Sequence, residues 1–470
     1  MRALIRTVAA ITATLIVSTS VGAPASADPA PPSSPVGAQV AWLLDVSHRL
    51  PLSLAEASEH IDPTVLDQIG LDALNQALAT VSGTTGLSLV RYRESSPSSA
   101  LFVVASDSGT WLASIALTAA GLIGQLFFTP LLPEPTSWSE LDQRLQALAP
   151  RVSFLAATLD EDGCEPVHAV AADTARPIGS AFKLYVLGAL ATAVAAGRAA
   201  WDEPLSIRDS WKSLPSGTFQ DLPAGTTLPL SAYAANMIAS SDNTATDHLI
   251  HRLGRSAVVA QQVHFGMTEP GRNVPFLLTR DLFVLKLTAY PHLVDAYAAL
   301  PSWARQLVVP ALAVLPLPTL EDAAAWTTPR RIDVEWFASP ADICAAFAGL
   351  AEQAATPGLE PVDDILSIND GGLLLDPASW DRTWFKGGSE PGVLTLNYLA
   401  RTSDGRTFVV SAMVSDPEAA LPEAFAVAEL QALIRGAFTL ASGVAAFDIP
   451  VSAPTDAEVV NPVMRPVAVL

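Results

Sequence analysis

Lysine is nearly missing from this chain of 470 residues: there are four, Lys183, Lys212, Lys286 and Lys386. Basic residues together number 26 against 47 acidic ones, for a formal net charge of −21. That deficit argues against nucleic acid or an anionic membrane surface as a partner, since both require a basic footprint. Cysteine is scarce as well. Cys164 and Cys344 form no C-x-x-C pair and no Cys/His cluster, so a zinc or redox motif is not supported. Charged residues make up only 16% of the chain and hydrophobic ones 50%, which excludes a disordered polymer and promises a sizeable core.

The N-terminus has its own grammar. Arg2 and Arg6 precede an apolar run from Val8 to Val21, and Ala25-Ser26-Ala27 forms an A-x-A site before Asp28. This is the pattern of a secretory signal peptide, cleaved after Ala27. The apolar run is short for a membrane anchor, so a secreted, extracytoplasmic chain without an integral span is expected. Export permits a disulfide. Cys164 and Cys344 are nevertheless expected to be two buried free thiols, with pairing left open because spacing alone cannot show that their Cα atoms approach. His248 and His251 lack a third ligand and read as helix-surface residues, so neither a metal nor a cofactor is expected.

Proline marks the internal boundaries. After the signal peptide (1–27), a Pro/Ser linker spans 28–36. Residues 37–128 open with helical periodicity and turn to strand-like runs around 87–92, 101–105 and 111–117, an α+β plan. A Pro-rich linker covers 129–136. The remainder, 137–470, starts with a capping box at Ser137 and Glu140. It continues with a hairpin turning at Asp162-Gly163, a helix from Ser180 to about Gly197, and a largely helical middle. It ends with a second hairpin turning at Asp404-Gly405, then a helix from about Leu421 to Leu440. Strands at both ends of a helical middle predict one sheet built from both ends of the domain. The Pro/Val-rich stretch from Pro450 is expected to lie over the surface.

Three short motifs carry the chemistry. Ser180-Ala-Phe-Lys183 places a hydroxyl and an amine one helical turn apart, at a helix start whose free N–H groups can hold an oxyanion. Burial in the apolar face that follows would keep the lysine neutral and basic. Ser241-Asp-Asn243 could alternatively be a helix cap. Lys386-Gly-Gly-Ser389 could alternatively be a glycine turn between strands. Taken together and in order, however, two of the four lysines occupy the two positions where such chemistry needs lysine.

S-x-x-K, S-D-N and a K-T-G-like triplet are the signature of serine β-lactamases and penicillin-binding proteins, and this chain resembles that superfamily. The resemblance implies an α+β fold: a class-A β-lactamase-like domain with an antiparallel sheet and a helical subdomain. It is preceded by a small α+β accessory domain similar to a ketosteroid-isomerase cone. The whole chain is similar to actinobacterial LpqF-type two-domain serine hydrolases and to the esterase-type β-lactamase relative encoded in the clavulanic acid gene cluster. Carried over, the resemblance implies Ser180 as nucleophile, Lys183 as its base and Ser241 as the proton relay. Asn243, Lys386 and Ser389 would bind substrate, and the Ser389 N–H would complete an oxyanion hole with that of Ser180.

Two departures shape the functional expectation. Gly387 stands where the family usually has threonine. The E-x-x-x-N pattern of a deacylating loop occurs at Glu269 to Asn273, in a turn-like setting. The expected function is an exported, penicillin-binding-type serine hydrolase forming an acyl-enzyme with an ester, a β-lactam or a peptidoglycan-derived small molecule. The alternatives are a true β-lactamase or D,D-peptidase, or a binding module that does not turn over. An α/β-hydrolase is disfavoured because no G-x-S-x-G elbow is present.

Overall fold

Ser34 accepts a hydrogen bond from the Gly37 N–H, and Pro35 occupies the first helical position, where a missing N–H costs nothing. Helix α1 (Pro35–Val46) therefore begins inside the segment expected to be linker. The computed structural model describes residues 31–447. The signal-peptide segment, residues 28–30 of the first linker and the chain from 448 onward lie outside the described residues.

After α1 come α2 (Leu54–His60), α3 (Pro63–Ile69) and α4 (Leu71–Ser82). An antiparallel meander follows, of β1 (Ser88–Ser96), β2 (Ser99–Ser106), β3 (Gly109–Leu117) and β4 (Ile123–Pro130). Strand β4 runs two residues into the expected second linker. Val36, Val40 and Leu43 of α1 and Leu74, Leu78 and Val81 of α4 pack on Phe102, Val104, Trp111, Ala113 and Ile115, one face of the sheet. Alternation along the strands sets that face.

The second part starts with α5 (Trp138–Leu148), β5 (Arg151–Asp160), β6 (Gly163–Val170) and the two-residue β7 (Arg176–Pro177). The Ser137 hydroxyl accepts from the Glu140 N–H, as the capping box requires, but the Glu140 carboxylate accepts from the N–H and hydroxyl of Thr136 instead. A 3₁₀ turn at Gly179–Phe182 leads into α6 (Lys183–Ala195), so the expected helix from Ser180 opens with a tighter turn. The helical middle includes β8 (Pro204–Ser206), β9 (Thr227–Pro229), α7 (Leu230–Ala239), α8 (Asn243–Leu253) and α9 (Arg255–His264). It continues through α10 (Thr279–Leu287), α11 (His292–Ala298), α12 (Ser302–Leu312) and α13 (Leu320–Ala324). Then come β10 (Phe337–Ala338), α14 (Pro340–Ala354), α15 (Pro361–Leu366), β11 (Trp380–Glu390), β12 (Val393–Thr402), β13 (Thr407–Ser415) and α16 (Glu423–Ser442).

The main sheet has the order β11-β12-β13-β5-β6, all antiparallel, so the strands from both ends of this part do form one sheet. Phe154 and Ala156 of β5 face α5 and α16, whereas Leu155 and Ala157 face α6 and α14. Helix α6 is buried from Lys183 through Ala191, which makes it the axis of the larger core. The first part docks through Arg93, whose guanidinium donates to both carboxylate oxygens of Asp370 at 2.7 and 3.0 Å.

Two expectations are corrected here. Cys164 on β6 and Cys344 on α14 are disulfide-bonded, with Cα atoms 6.3 Å apart, and are not free thiols. His248 is fully buried and not on the helix surface. Its Nδ1 bonds the Thr244 carbonyl at 2.7 Å, while Nε2 accepts the Arg208 N–H at 2.9 Å. Helix α8 buries every side chain from Asn243 to Ile250, so it has no polar face there for a histidine to occupy.

Candidate active site

Glycine allows two backbone segments to touch where the serine turn meets strand β11. A Cβ on Gly388 would lie 2.4 Å from the Ser180 nitrogen, and one on Gly179, at φ +46°, would lie 2.8 Å from the Ser389 nitrogen. No side chain fits such gaps. Two N–H-bearing segments are thereby brought into one narrow junction. The Lys386-Gly-Gly-Ser389 run is accordingly not a turn. It lies within β11, with Lys386 opposite Asn397 and Ser389 opposite Leu394.

Lys183 is fully buried beneath this junction. Its Nζ lies 3.0 Å from Ser180 Oγ and 3.0 Å from Ser241 Oγ. It donates to the Ser241 carbonyl at 2.5 Å and to Asn243 Oδ1 at 2.7 Å. Burial, and then the neighbouring charge of Lys386, hold the Lys183 amine well below the ordinary lysine range. A neutral amine has two hydrogens and one lone pair. In the neutral form the Ser241 carbonyl and Asn243 Oδ1, which can only accept, would take the two hydrogens, and the lone pair would face the hydroxyls of Ser180 and Ser241.

Each partner is fixed in turn. Asn243 Nδ2 donates to the Leu214 carbonyl at 3.1 Å, which aims Oδ1 at the lysine. Asp242 caps α8 by accepting from the Ala245 N–H, so the cap reading of this motif holds, and its neighbours Ser241 and Asn243 both reach Lys183. Ser241 takes φ +54°, a conformation that is costly for a serine, and its carbonyl also accepts from the Ser216 hydroxyl at 2.7 Å. Ser216 carries no motif and was not anticipated. Lys386 Nζ lies 3.0 Å from Ser241 Oγ and donates to the Gly387 carbonyl at 2.8 Å; burial pushes it down to about 7. The Ser241 hydroxyl therefore bridges two buried amines.

The six residues Ser180, Lys183, Ser241, Asn243, Lys386 and Ser389 thus converge, the first five by direct hydrogen-bonding distances and Ser389 through the glycine junction. Glu269 is exposed, and its carboxylate is 3.5 Å from Arg272. Asn273 is buried and engaged with the Phe337 backbone. Gly387 has a local cause. A Cβ there would lie 2.9 Å from the Phe385 ring and 3.2 Å from the Thr395 carbonyl, so Phe385 occupies the room a threonine would need.

Residues 138–280 match the β-lactamase enzyme family, a span that includes Ser180, Lys183, Ser241 and Asn243. Residues 31–123 match the family described as ORF 12 gene product N-terminal. The first match likens that part of the chain to the β-lactamase enzyme family. No curated protein matches the chain. Among solved structures, a β-lactamase from Sphaerobacter thermophilus is 20% identical, covering 66% of this chain and 99% of its own, at a TM-score of 0.46. PBP-A is 18% identical, with 67% and 99% covered, at 0.44. A β-lactamase from Chitinophaga pinensis is 16% identical, with 65% and 98% covered, at 0.45. At these identities and scores the likenesses carry no functional argument.

Proposed function

We propose that this chain is an exported serine hydrolase that forms an acyl-enzyme on Ser180 and turns over esters in preference to β-lactams. The observation that carries the reading is the buried Lys183 amine, whose Nζ lies 2.5 Å from the Ser241 carbonyl, 2.7 Å from Asn243 Oδ1 and 3.0 Å from Ser180 Oγ. Lys183 takes the Ser180 proton as Oγ bonds to the substrate carbonyl carbon. The carbonyl oxygen becomes an oxyanion held by the N–H groups of Ser180 and Ser389. As the carbon–oxygen bond to the alcohol breaks, the alcohol oxygen takes the Ser241 proton, and Lys183 returns its proton to Ser241 across 3.0 Å. Water then attacks the acyl group and gives a proton to Lys183. The Ser180 ester bond breaks, Oγ recovers its proton, and the acid leaves. Lys386 and Ser389 bind the substrate's polar groups, while Asn243, engaged with Lys183 and the Leu214 carbonyl, positions the base and not the substrate.

The ester preference follows from what deacylation needs. A departed alcohol leaves water an open path, whereas an opened β-lactam stays tethered and demands a separate base. The exposed, Arg272-paired Glu269 does not support that role. Residues 37–128 are assigned on this reading to a ketosteroid-isomerase-like accessory unit such as that of LpqF-type hydrolases and of the esterase-type relative in the clavulanic acid gene cluster, and helices packed on one face of an antiparallel sheet support it. The test compares kcat/KM for an acetyl ester and a simple cephalosporin in wild type and Glu269→Ala. Faster ester turnover in both supports the reading. Faster cephalosporin turnover that disappears in Glu269→Ala overturns it.

A further inference from the structure

A third lysine is also buried close to this site. Lys286 on α10 is 0% exposed, and its Nζ donates to both carboxylate oxygens of Glu390 at 2.6 Å each. Glu390 directly follows Ser389 on β11. Glu335 Oε2 lies 4.0 Å from the same Nζ and has no hydrogen-bond partner among the described residues, although its side chain is 1% exposed. The other Glu335 oxygen accepts from the Trp336 N–H at 2.9 Å. Trp336 in turn reaches the serine turn: its carbonyl accepts the Ile178 N–H at 2.9 Å, and its indole stacks on Phe182 at 4.0 Å. One cluster thus touches the strand that carries Ser389 and the segment that carries Ser180.

Stability does not account for the cluster. A buried ion pair is often no better than a packed apolar pair, and burying a second carboxyl with one oxygen unsatisfied is a further cost. What such a pair can supply is fixed geometry. We propose that Lys286, Glu390 and Glu335 are positioning residues for the oxyanion hole, clamping the Ser389 side of the glycine junction against the Ser180 side. The proposal rests on the acyl-enzyme reading above. Loosening the clamp displaces an oxyanion donor, which weakens transition-state binding while leaving ground-state binding nearly intact.

Glu335 also gives the clamp a charge balance. One ammonium faces two carboxyls, and burial, with Glu390 nearby, pushes Glu335 up to about 8. Protonated Glu335 leaves Lys286 and Glu390 as a balanced pair, whereas ionisation places a second negative charge beside Glu390. The groups around Glu335 are Lys286 of α10, Glu390 of β11, Asp333 on its own segment, and Arg272, Arg305 and Tyr297, which line the adjoining cavity of about 210 Å³.

The experiment measures ester hydrolysis by the full chain, normalised to sites that take an acyl label on Ser180. Lys286→Met is expected to lower kcat per labelled site by about 10- to 100-fold, with KM within about threefold. An unchanged kcat per labelled site overturns the proposal while leaving the acyl-enzyme reading intact. A wild type that takes no label on Ser180 overturns both. If Lys286→Met does not fold, Glu335→Gln decides: the wild-type fall in kcat/KM above about pH 8 is expected to be absent in it. An identical alkaline limb in the two proteins overturns the proposal.

Discussion

Lys183 Nζ donates to Asn243 Oδ1 across 2.7 Å, and the two side chains come from different helices, α6 and α8. That bond does more than tether the lysine. It occupies one amine hydrogen and so helps decide where the lone pair points.

Asn243→Ala should therefore impair acylation although Asn243 is not the nucleophile. With one acceptor gone, the amine rotates and the lone pair no longer favours Ser180. A fall in kcat/KM of about 10- to 100-fold, read from ester hydrolysis, is expected. Unchanged kinetics would remove Asn243 from the account.

Lys386 depresses the Lys183 amine through its charge, second only to burial. Removing that charge in Lys386→Gln raises the Lys183 pKa. Lys183 must be deprotonated to act as base, so the acid limb of the acylation rate should move to higher pH. Stopped-flow acylation across pH 5 to 9 checks this; a limb that stays put or moves down contradicts the assigned coupling.

The Cys164–Cys344 bridge joins edge strand β6 to α14 across 180 residues of chain. Closing so long a loop constrains the unfolded state, so Cys164→Ala/Cys344→Ala should lose about 3–5 kcal/mol. Denaturant unfolding measures the loss. Ester kcat at low temperature should stay within about twofold, because neither cysteine belongs to the site.

The motif residues were legible because S-x-x-K spacing confines two groups to one helical face and because lysine is so rare that its placement carries information. The sheet was legible because period-2 apolar runs flank a helical middle. Other features left no local trace. The cysteines meet only once β6 packs beside α14. His248 looked solvated because the surroundings of α8 are supplied by distant segments such as the Arg208 loop. Gly387 and Gly388 read as a turn, and their actual cause is the close approach of Phe385 and of the serine turn. Glu335 and Glu390 resemble ordinary surface carboxylates until tertiary packing buries them with Lys286.

Ser180 is the residue on which every step of the acyl-enzyme reaction depends. Wild type and Ser180→Ala are each mixed with an activated acetyl ester and with a penicillin, quenched, digested and read by mass spectrometry. The expected result is an acyl adduct confined to the peptide containing Ser180 in wild type, no adduct in Ser180→Ala, and a loss of turnover on the order of 10⁴ or more. An adduct on another residue, or a labelled Ser180→Ala protein, would contradict it.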